Sequence, residues 1–403
     1  MIRRNPALAA LAAGYLFPEI ARRRRAFQEG HPDARIISLG VGNTTEPLTP
    51  HVTRRLVEAA ERLGTRAGYT GYGDEQGLAE LRAKIADVLY GGLVAPDEVF
   101  VSDGSKCDIG RLQLMFGGGI PVAVQDPAYP VYVDGSVIAG AASRAGADGR
   151  YGGITYLPCV AENGFMPDLA ALPRDGLVYF CSPNNPTGAV ATKAWLAGLV
   201  KEAQAKGCII IFDAAYSEYI RDPALPRSIF EVEGARTCAI EVNSFSKSVG
   251  FTGVRLGWTV VPRELAWEGG SPVAADWNRI MTTIFNGASN LAQQGGLAAL
   301  EPEGRREGAA LVAHYMGNAD LIAKGLAAQG IASCGGDNAP YLWAAFPGRS
   351  SWEVFEEILE RCHVVTTPGS GFGPCGEGFV RFSAFGRRED VVEAVGRLVR
   401  LGG

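Results

Sequence analysis

The stretch Ser244-Phe-Ser-Lys247, with Arg255 eight residues further on in Gly253-Val-Arg-Leu-Gly-Trp258, sets one lysine between small hydroxyl residues directly after an apolar run. That arrangement offers an amine to an aldehyde. The preceding Cys238-Ala-Ile-Glu-Val-Asn243 reads as a short strand that ends where the hydroxyls begin. Lys247 therefore falls at the C-terminal end of a strand, the edge at which open α/β sheets bind ligands. Desolvation or a neighbouring cation turns an ammonium into a nucleophilic amine, and Arg255 is such a neighbour as well as a candidate phosphate ligand. A solvated surface lysine before a Gly-rich turn is the competing reading.

Four more polar motifs stand at the ends of apolar runs, and each has chemistry that an aldehyde cofactor with a charged ring, pyridoxal phosphate, would need. Asp213, in Asp213-Ala-Ala-Tyr216, closes an almost wholly apolar run, where a carboxylate calls for a cation such as a protonated pyridine nitrogen. The alternative is a helix N-cap. Asn185, in Ser182-Pro-Asn-Asn-Pro-Thr-Gly188, and Tyr216 are suited to hold a ring oxygen, although Asn-Pro-Thr-Gly is also a strong turn signal by itself. Tyr129, in Asp126-Pro-Ala-Tyr-Pro130, is suited to stack on a ring or simply to pack. Asp103-Gly-Ser-Lys106 precedes the helical pattern Ile109 to Met115, so its amides open a helix and suit a phosphate, together with Ser244, Ser246 and Arg255.

These motifs need a frame that brings them to one edge. Seven short apolar runs supply it: Val99 to Val101, Val122 to Val124, Ile154 to Leu157, Leu177 to Phe180, Cys208 to Phe212, Cys238 to Val242 and Leu256 to Val261. Several are separated by stretches long enough for a helix, which predicts a largely parallel sheet covered on both faces.

With these residues in hand, the chain resembles the fold-type I pyridoxal-phosphate transferases of the aspartate aminotransferase superfamily, and within them the LL-diaminopimelate aminotransferase branch. The narrower likeness is carried by Tyr15-Leu-Phe-Pro-Glu-Ile20, Gly71-Tyr-Gly-Asp-Glu-Gln-Gly77, Asp103-Gly-Ser-Lys-Cys-Asp108, Ala123-Val-Gln-Asp-Pro127, Phe251-Thr-Gly-Val-Arg-Leu-Gly-Trp258, Phe285-Asn-Gly-Ala-Ser-Asn290 and Val364-Val-Thr-Thr-Pro-Gly-Ser-Gly-Phe-Gly373. It runs from about Asn5 to the last helix. The resemblance implies that Lys247 holds the cofactor aldehyde and shuttles a proton, Asp213 pairs with the ring nitrogen, Tyr129 stacks, and Asn185 and Tyr216 hold the ring oxygen. It implies that Ser105, Lys106, Ser244, Ser246 and Arg255 take the phosphate, with Tyr72 reaching it from a partner subunit and Asn286 also at the cofactor. Arg381 would fork the substrate's α-carboxylate, a task for a planar bidentate donor. Tyr15, Gly42, Lys106, Tyr129, Asn185 and Asn286 would contact substrate, and Glu75 from the neighbouring subunit would face a distal ammonium. The residue-level alternative for Glu75 is a first-turn acid on the helix through Leu78, Leu81 and Ile85. The chain departs from the branch at Asn43, Asp74 and Ser105, where Asp, Pro and Ala are expected; the first removes a charge beside the substrate.

The resemblance also implies a fold of a large seven-stranded, mostly parallel domain over residues 46–287, a smaller α+β domain over 288–403, and an N-terminal arm, 1–45, that joins the small domain. The expected reaction interconverts tetrahydrodipicolinate plus glutamate and LL-diaminopimelate plus 2-oxoglutarate, in a homodimer with shared sites. An aromatic or aspartate aminotransferase of the same fold is the alternative, and a cofactor-bound DNA-binding regulator is the alternative from another class. Net charge of -5 with no sustained basic face argues against nucleic acid. The basic run Arg22 to Arg25 follows Tyr15 to Ile20, so a leader cleaved there would remove a site residue, and a retained arm is expected. Eight cysteines without Cys-x-x-Cys pairs and four scattered histidines predict a reduced, cytoplasmic chain with no metal site. No apolar stretch reaches the roughly 20 residues of a membrane span.

Overall fold

The computed structural model of the chain describes residues 2–11 and 16–401. Its frame is a seven-stranded sheet built from β2 (Val99–Ser102), β3 (Val122–Asp126), β4 (Ile154–Pro158), β5 (Leu177–Cys181), β6 (Ile209–Asp213), β7 (Ala239–Ser244) and β8 (Gly257–Val260), in the order β2-β8-β7-β6-β5-β3-β4. Each strand coincides with one of the seven apolar runs. β7, β6, β5, β3 and β4 pair in parallel, while β8 runs antiparallel to both β7 and β2.

The strands are apolar without alternation because both faces are covered, and side chains on successive residues point to opposite sides. Leu177, Tyr179 and Cys181 join one core with Ile211, Ile240 and Val242, against Ile109, Leu112 and Phe116 of the helix Ser105–Phe116. Val178 and Phe180 join the opposite core with Ile210 and Phe212. That second core packs Leu196, Leu199 and Val200 of the helix Lys193–Lys206 and Leu81 and Ile85 of the helix Ala79–Tyr90.

A second sheet, antiparallel and four-stranded, has the order β12-β13-β10-β9, with β9 (Ser333–Gly335), β10 (Tyr341–Ala345), β12 (Thr367–Pro368) and β13 (Phe379–Ser383). Two residues near the start, β1 (Ile37–Ser38), pair in parallel with β11 (Val364–Val365), which ties the early chain to this C-terminal part. The helices Asn290–Leu300 and Pro302–Ala328 run between the two sheets in sequence. Among the described residues no helix is long and apolar enough to cross a membrane, and all eight cysteines are free.

Candidate active site

The carboxyl ends of β5, β6 and β7, the start of the helix Ser105–Phe116 and the strands β10 and β13 enclose a cleft of about 330 Å³. Its lining includes Gly42, Ser105, Lys106, Tyr129, Asn185, Asp213, Tyr216, Ser244, Ser246, Lys247, Arg255 and Arg381. Twelve of the residues singled out from sequence thus meet in one place.

Lys247 is carried by the short helix Phe245–Ser248, which Ser244 caps by accepting from the Ser246 amide at 3.0 Å. The Tyr219 hydroxyl donates to the Lys247 carbonyl at 2.7 Å, and the ammonium itself donates to the Gly42 carbonyl oxygen. Burial, then the charges of Arg381 and Arg255, bring its pKa down to about 8. The neighbour expected to do this was Arg255, yet Arg381 acts more strongly. Gly42 has no room for a side chain, since a Cβ there would lie 2.5 Å from the Tyr341 hydroxyl.

Asp213 ends β6 in register with Cys181 of β5 and is buried. Its Oδ2 accepts from the Tyr132 hydroxyl at 2.8 Å and its Oδ1 from the Ala215 amide at 3.1 Å. Burial raises its pKa, and these two donors oppose that. The N-cap alternative does not hold: the next helical turn, Ser217–Tyr219, has Tyr216 at its cap position. The Tyr216 hydroxyl lies 2.9 Å from that of Tyr341 and 3.5 Å from Asn185 Nδ2.

At the other end of the cleft Gly104 precedes the helix Ser105–Phe116 with φ +127°, and a Cβ on it would fall 2.3 Å from Arg255 Nη2. Arg255 itself adopts φ +68°, a conformation uncommon outside glycine, and donates to Ser246 Oγ at 3.0 Å. The helix start, two serines and a guanidinium form a cup for an anion.

Arg381 is 1% exposed on β13. It donates to Asn185 Oδ1 at 2.5 Å and to the Gly40 carbonyl at 2.6 Å, and lies over the Tyr341 and Phe372 rings. Its Nε is buried without a hydrogen-bond partner, and among the described residues no carboxylate forms a salt bridge with it. A buried guanidinium in that state is built to receive an anion.

Three of the expected residues do not enter this cleft. Tyr72 is 86% exposed, and Glu75 and Asn286 are exposed as well. They share one surface: Asn290 Nδ2 donates to Thr70 Oγ1 at 2.8 Å and to the Gly71 carbonyl at 3.1 Å, while a Cβ on Gly287 would lie 3.5 Å from the Glu75 Cα. Glu75 precedes the helix Ala79–Tyr90, whose first-turn acid is Glu80, so the helix-dipole reading of Glu75 is overturned. Tyr15 lies outside the described residues. The sequence reading missed Tyr132 and Tyr341. Tyr132 stands three residues after Tyr129, a same-face spacing that could have flagged it; Tyr341 carries no local signal.

Pyridoxal phosphate fits this set of residues: an anion cup at one end, a buried carboxylate between, and a lysine with a lowered pKa beside a guanidinium that no carboxylate among the described residues neutralises. The family model described as Aminotransferase class I and II matches residues 34–398. The chain belongs to the class I and II aminotransferases. Enzymes of this family work with pyridoxal 5'-phosphate. The aminotransferase is 55% identical over 402 residues to a probable LL-diaminopimelate aminotransferase, chloroplastic, of Oryza sativa subsp. japonica, covering 99% of this chain and 86% of that protein. It is 52% identical to the LL-diaminopimelate aminotransferase of Protochlamydia amoebophila, covering 99% and 97%. The solved L,L-diaminopimelate aminotransferase from Chlamydomonas reinhardtii superposes with a TM-score of 0.96 at 55% identity, covering 100% of this chain and 99% of that one.

Proposed function

We propose that this aminotransferase interconverts tetrahydrodipicolinate plus L-glutamate and LL-diaminopimelate plus 2-oxoglutarate, serving lysine or cell-wall precursor synthesis. Relatives of that name span nearly the whole chain at 52–55% identity. The single structural observation behind the reading is Arg381, a buried and carboxylate-free guanidinium in the same cleft as Lys247.

Bound pyridoxal phosphate supplies the electron sink and the carrier for the amino group. The chain's residues do the rest. Arg381 grips the α-carboxylate of each substrate in turn and orients the α-carbon towards Lys247. Lys247, whose burial brings its pKa down to about 8, takes the proton from that carbon as the free amine and returns it. Asp213 would pair with the ring nitrogen's proton, Tyr129 would back the ring, and Asn185 and Tyr216 would hold the ring oxygen. Ser105, Lys106, Ser244, Ser246 and Arg255 anchor the phosphate. Glutamate leaves as 2-oxoglutarate before the second substrate enters the same cleft.

The exposed patch of Tyr72, Glu75 and Asn286 completes the cleft of a second subunit in this reading, with Glu75 favouring the distal ammonium of diaminopimelate. The halves 46–287 and 288–403 close on the substrate and exclude water. The free cysteines suit a reducing compartment, the cytoplasm in our reading, while two relatives are named as chloroplastic. The test is a coupled assay of LL- and meso-diaminopimelate, phenylalanine and aspartate as donors to 2-oxoglutarate. Preferred turnover of LL-diaminopimelate supports the proposal; preference for phenylalanine or aspartate overturns it.

A further inference from the structure

Tyr132 is 1% exposed inside the helix Val131–Ile138, which has no contact with solvent at this residue. Its ring stacks on Tyr179 of β5, centroids 5.4 Å apart and planes at 15°, and meets Tyr129 edge-on at 6.0 Å. This packing leaves the hydroxyl little freedom, and the bond it makes is to Asp213 Oδ2 at 2.8 Å. Among the described residues Asp213 has one other donor, the Ala215 amide. Burial pushes the Tyr132 hydroxyl far above its ordinary pKa, so it stays a donor across the working pH range. Cys181, in register with Asp213 on β5, is the titratable thiol at this carboxylate, and burial pushes it well above the usual thiol range, so it stays neutral there.

A carboxylate with no nearby cation in a dry site tends to take up a proton and swing. We propose that Tyr132 is a positioning residue for the cofactor: its hydroxyl holds the Asp213 carboxylate charged and fixed for the pyridine nitrogen. This rests on the reading that Asp213 meets that nitrogen. The same contact explains why a tyrosine stands one helical turn from Tyr129: one ring backs the cofactor, the other supports the acid beneath it. A phenylalanine would fill the space equally well and leave Asp213 one donor short.

The test compares Tyr132→Phe with Tyr179→Phe, which removes the hydroxyl of the stacked neighbour and keeps both rings. Pyridoxal phosphate affinity of the apo proteins is measured by equilibrium dialysis from about pH 5 to pH 8, with the visible absorption of the bound cofactor titrated in parallel. For Tyr132→Phe we expect roughly tenfold weaker retention, the size of one lost charge-assisted hydrogen bond. Its acid-side loss of cofactor should begin about one pH unit higher, its absorption titration should shift, and kcat should fall with KM little changed. Apo Tyr132→Phe should stay folded by circular dichroism, and Tyr179→Phe should behave as the parent in every readout. Unchanged affinity and absorption titration in Tyr132→Phe overturn the proposal, as does an equal defect in Tyr179→Phe. A parent protein that binds no pyridoxal phosphate would sink the cofactor reading itself, which separates the two failures.

Discussion

At the scale of single residues, Lys247 concentrates the chemistry. Replacing it by alanine removes the group we propose moves the proton, and we expect transamination to drop by about 10³-fold or more, on the order of a lost acid–base group, while circular dichroism stays unchanged. Its environment makes a second expectation. Because burial and two arginines lower the pKa from 10.5 to about 8, the amine is mostly charged below pH 8 and mostly free above it. The rate at which apo protein takes up pyridoxal phosphate should therefore rise with pH, with a midpoint near 8, followed by stopped-flow absorbance. Arg381→Met removes one of the positive charges that disfavour the ammonium, so its midpoint should move upward; a midpoint near 10 in the parent would contradict the geometry. These residue types were legible in sequence because each broke an apolar run with a polar group. Tyr341 was not, and the roles of Tyr341 and Tyr132 could not be read, since their partners Tyr216 and Asp213 lie 125 and 81 positions away.

At the scale of elements, the seven strands were legible for one reason: burial on both faces leaves continuous apolar runs that stand out between turn residues. The direction of β8 was not read, though a cue existed. Twelve residues separate Ser244 from Gly257 and hold only the four-residue helix Phe245–Ser248, whereas a parallel return requires a crossover of about a dozen residues or more, usually a full helix. The turn at Gly104 shows how tightly such an element is specified. Gly104→Ala would force a Cβ into φ +127° and against Arg255 Nη2, so we expect a stability loss of about 1–3 kcal/mol in urea melts and faster loss of cofactor on dialysis. β7 carries another constraint. Glu241 is fully buried and accepts from Ser228 Oγ, Tyr90 Oη and the Ile229 amide, and burial lifts its pKa from 4.5 to about 7. A carboxyl raised in the folded state contributes stability that is intact below pH 4.5 and lost as pH climbs through 7. Relative to Glu241→Gln, the parent should thus lose on the order of 2–3 kcal/mol between pH 4.5 and pH 8, read from paired denaturant melts.

At the scale of the whole molecule, the two sheets contribute opposite halves of one cleft: Lys247 and Asp213 from the seven-stranded sheet, Arg381 and Tyr341 from the four-stranded one. Tyr72, Glu75 and Asn286, recognised by resemblance, instead share an outer surface that does not line their own chain's cleft, and Tyr69, three residues before Tyr72, is 73% exposed. Large exposed aromatics grouped around polar groups mark a surface that meets another protein, and in a two-fold dimer each copy would lend this patch to the other. Subunit mixing tests that directly. Lys247→Ala chains, co-refolded with chains carrying Tyr72→Ala and Glu75→Ala together, should form mixed dimers in which one site has an intact lysine and an intact borrowed patch. Random pairing makes half the dimers mixed with one good site in each, so activity should return to roughly a quarter of the parent. Mixing Lys247→Ala with Arg381→Ala should restore nothing, because both residues serve the cleft of their own chain and every site then lacks one of them. No recovery in the first mixture would show that the patch does not cross between subunits, and recovery in the second would show that Lys247 and Arg381 do not serve one chain's cleft.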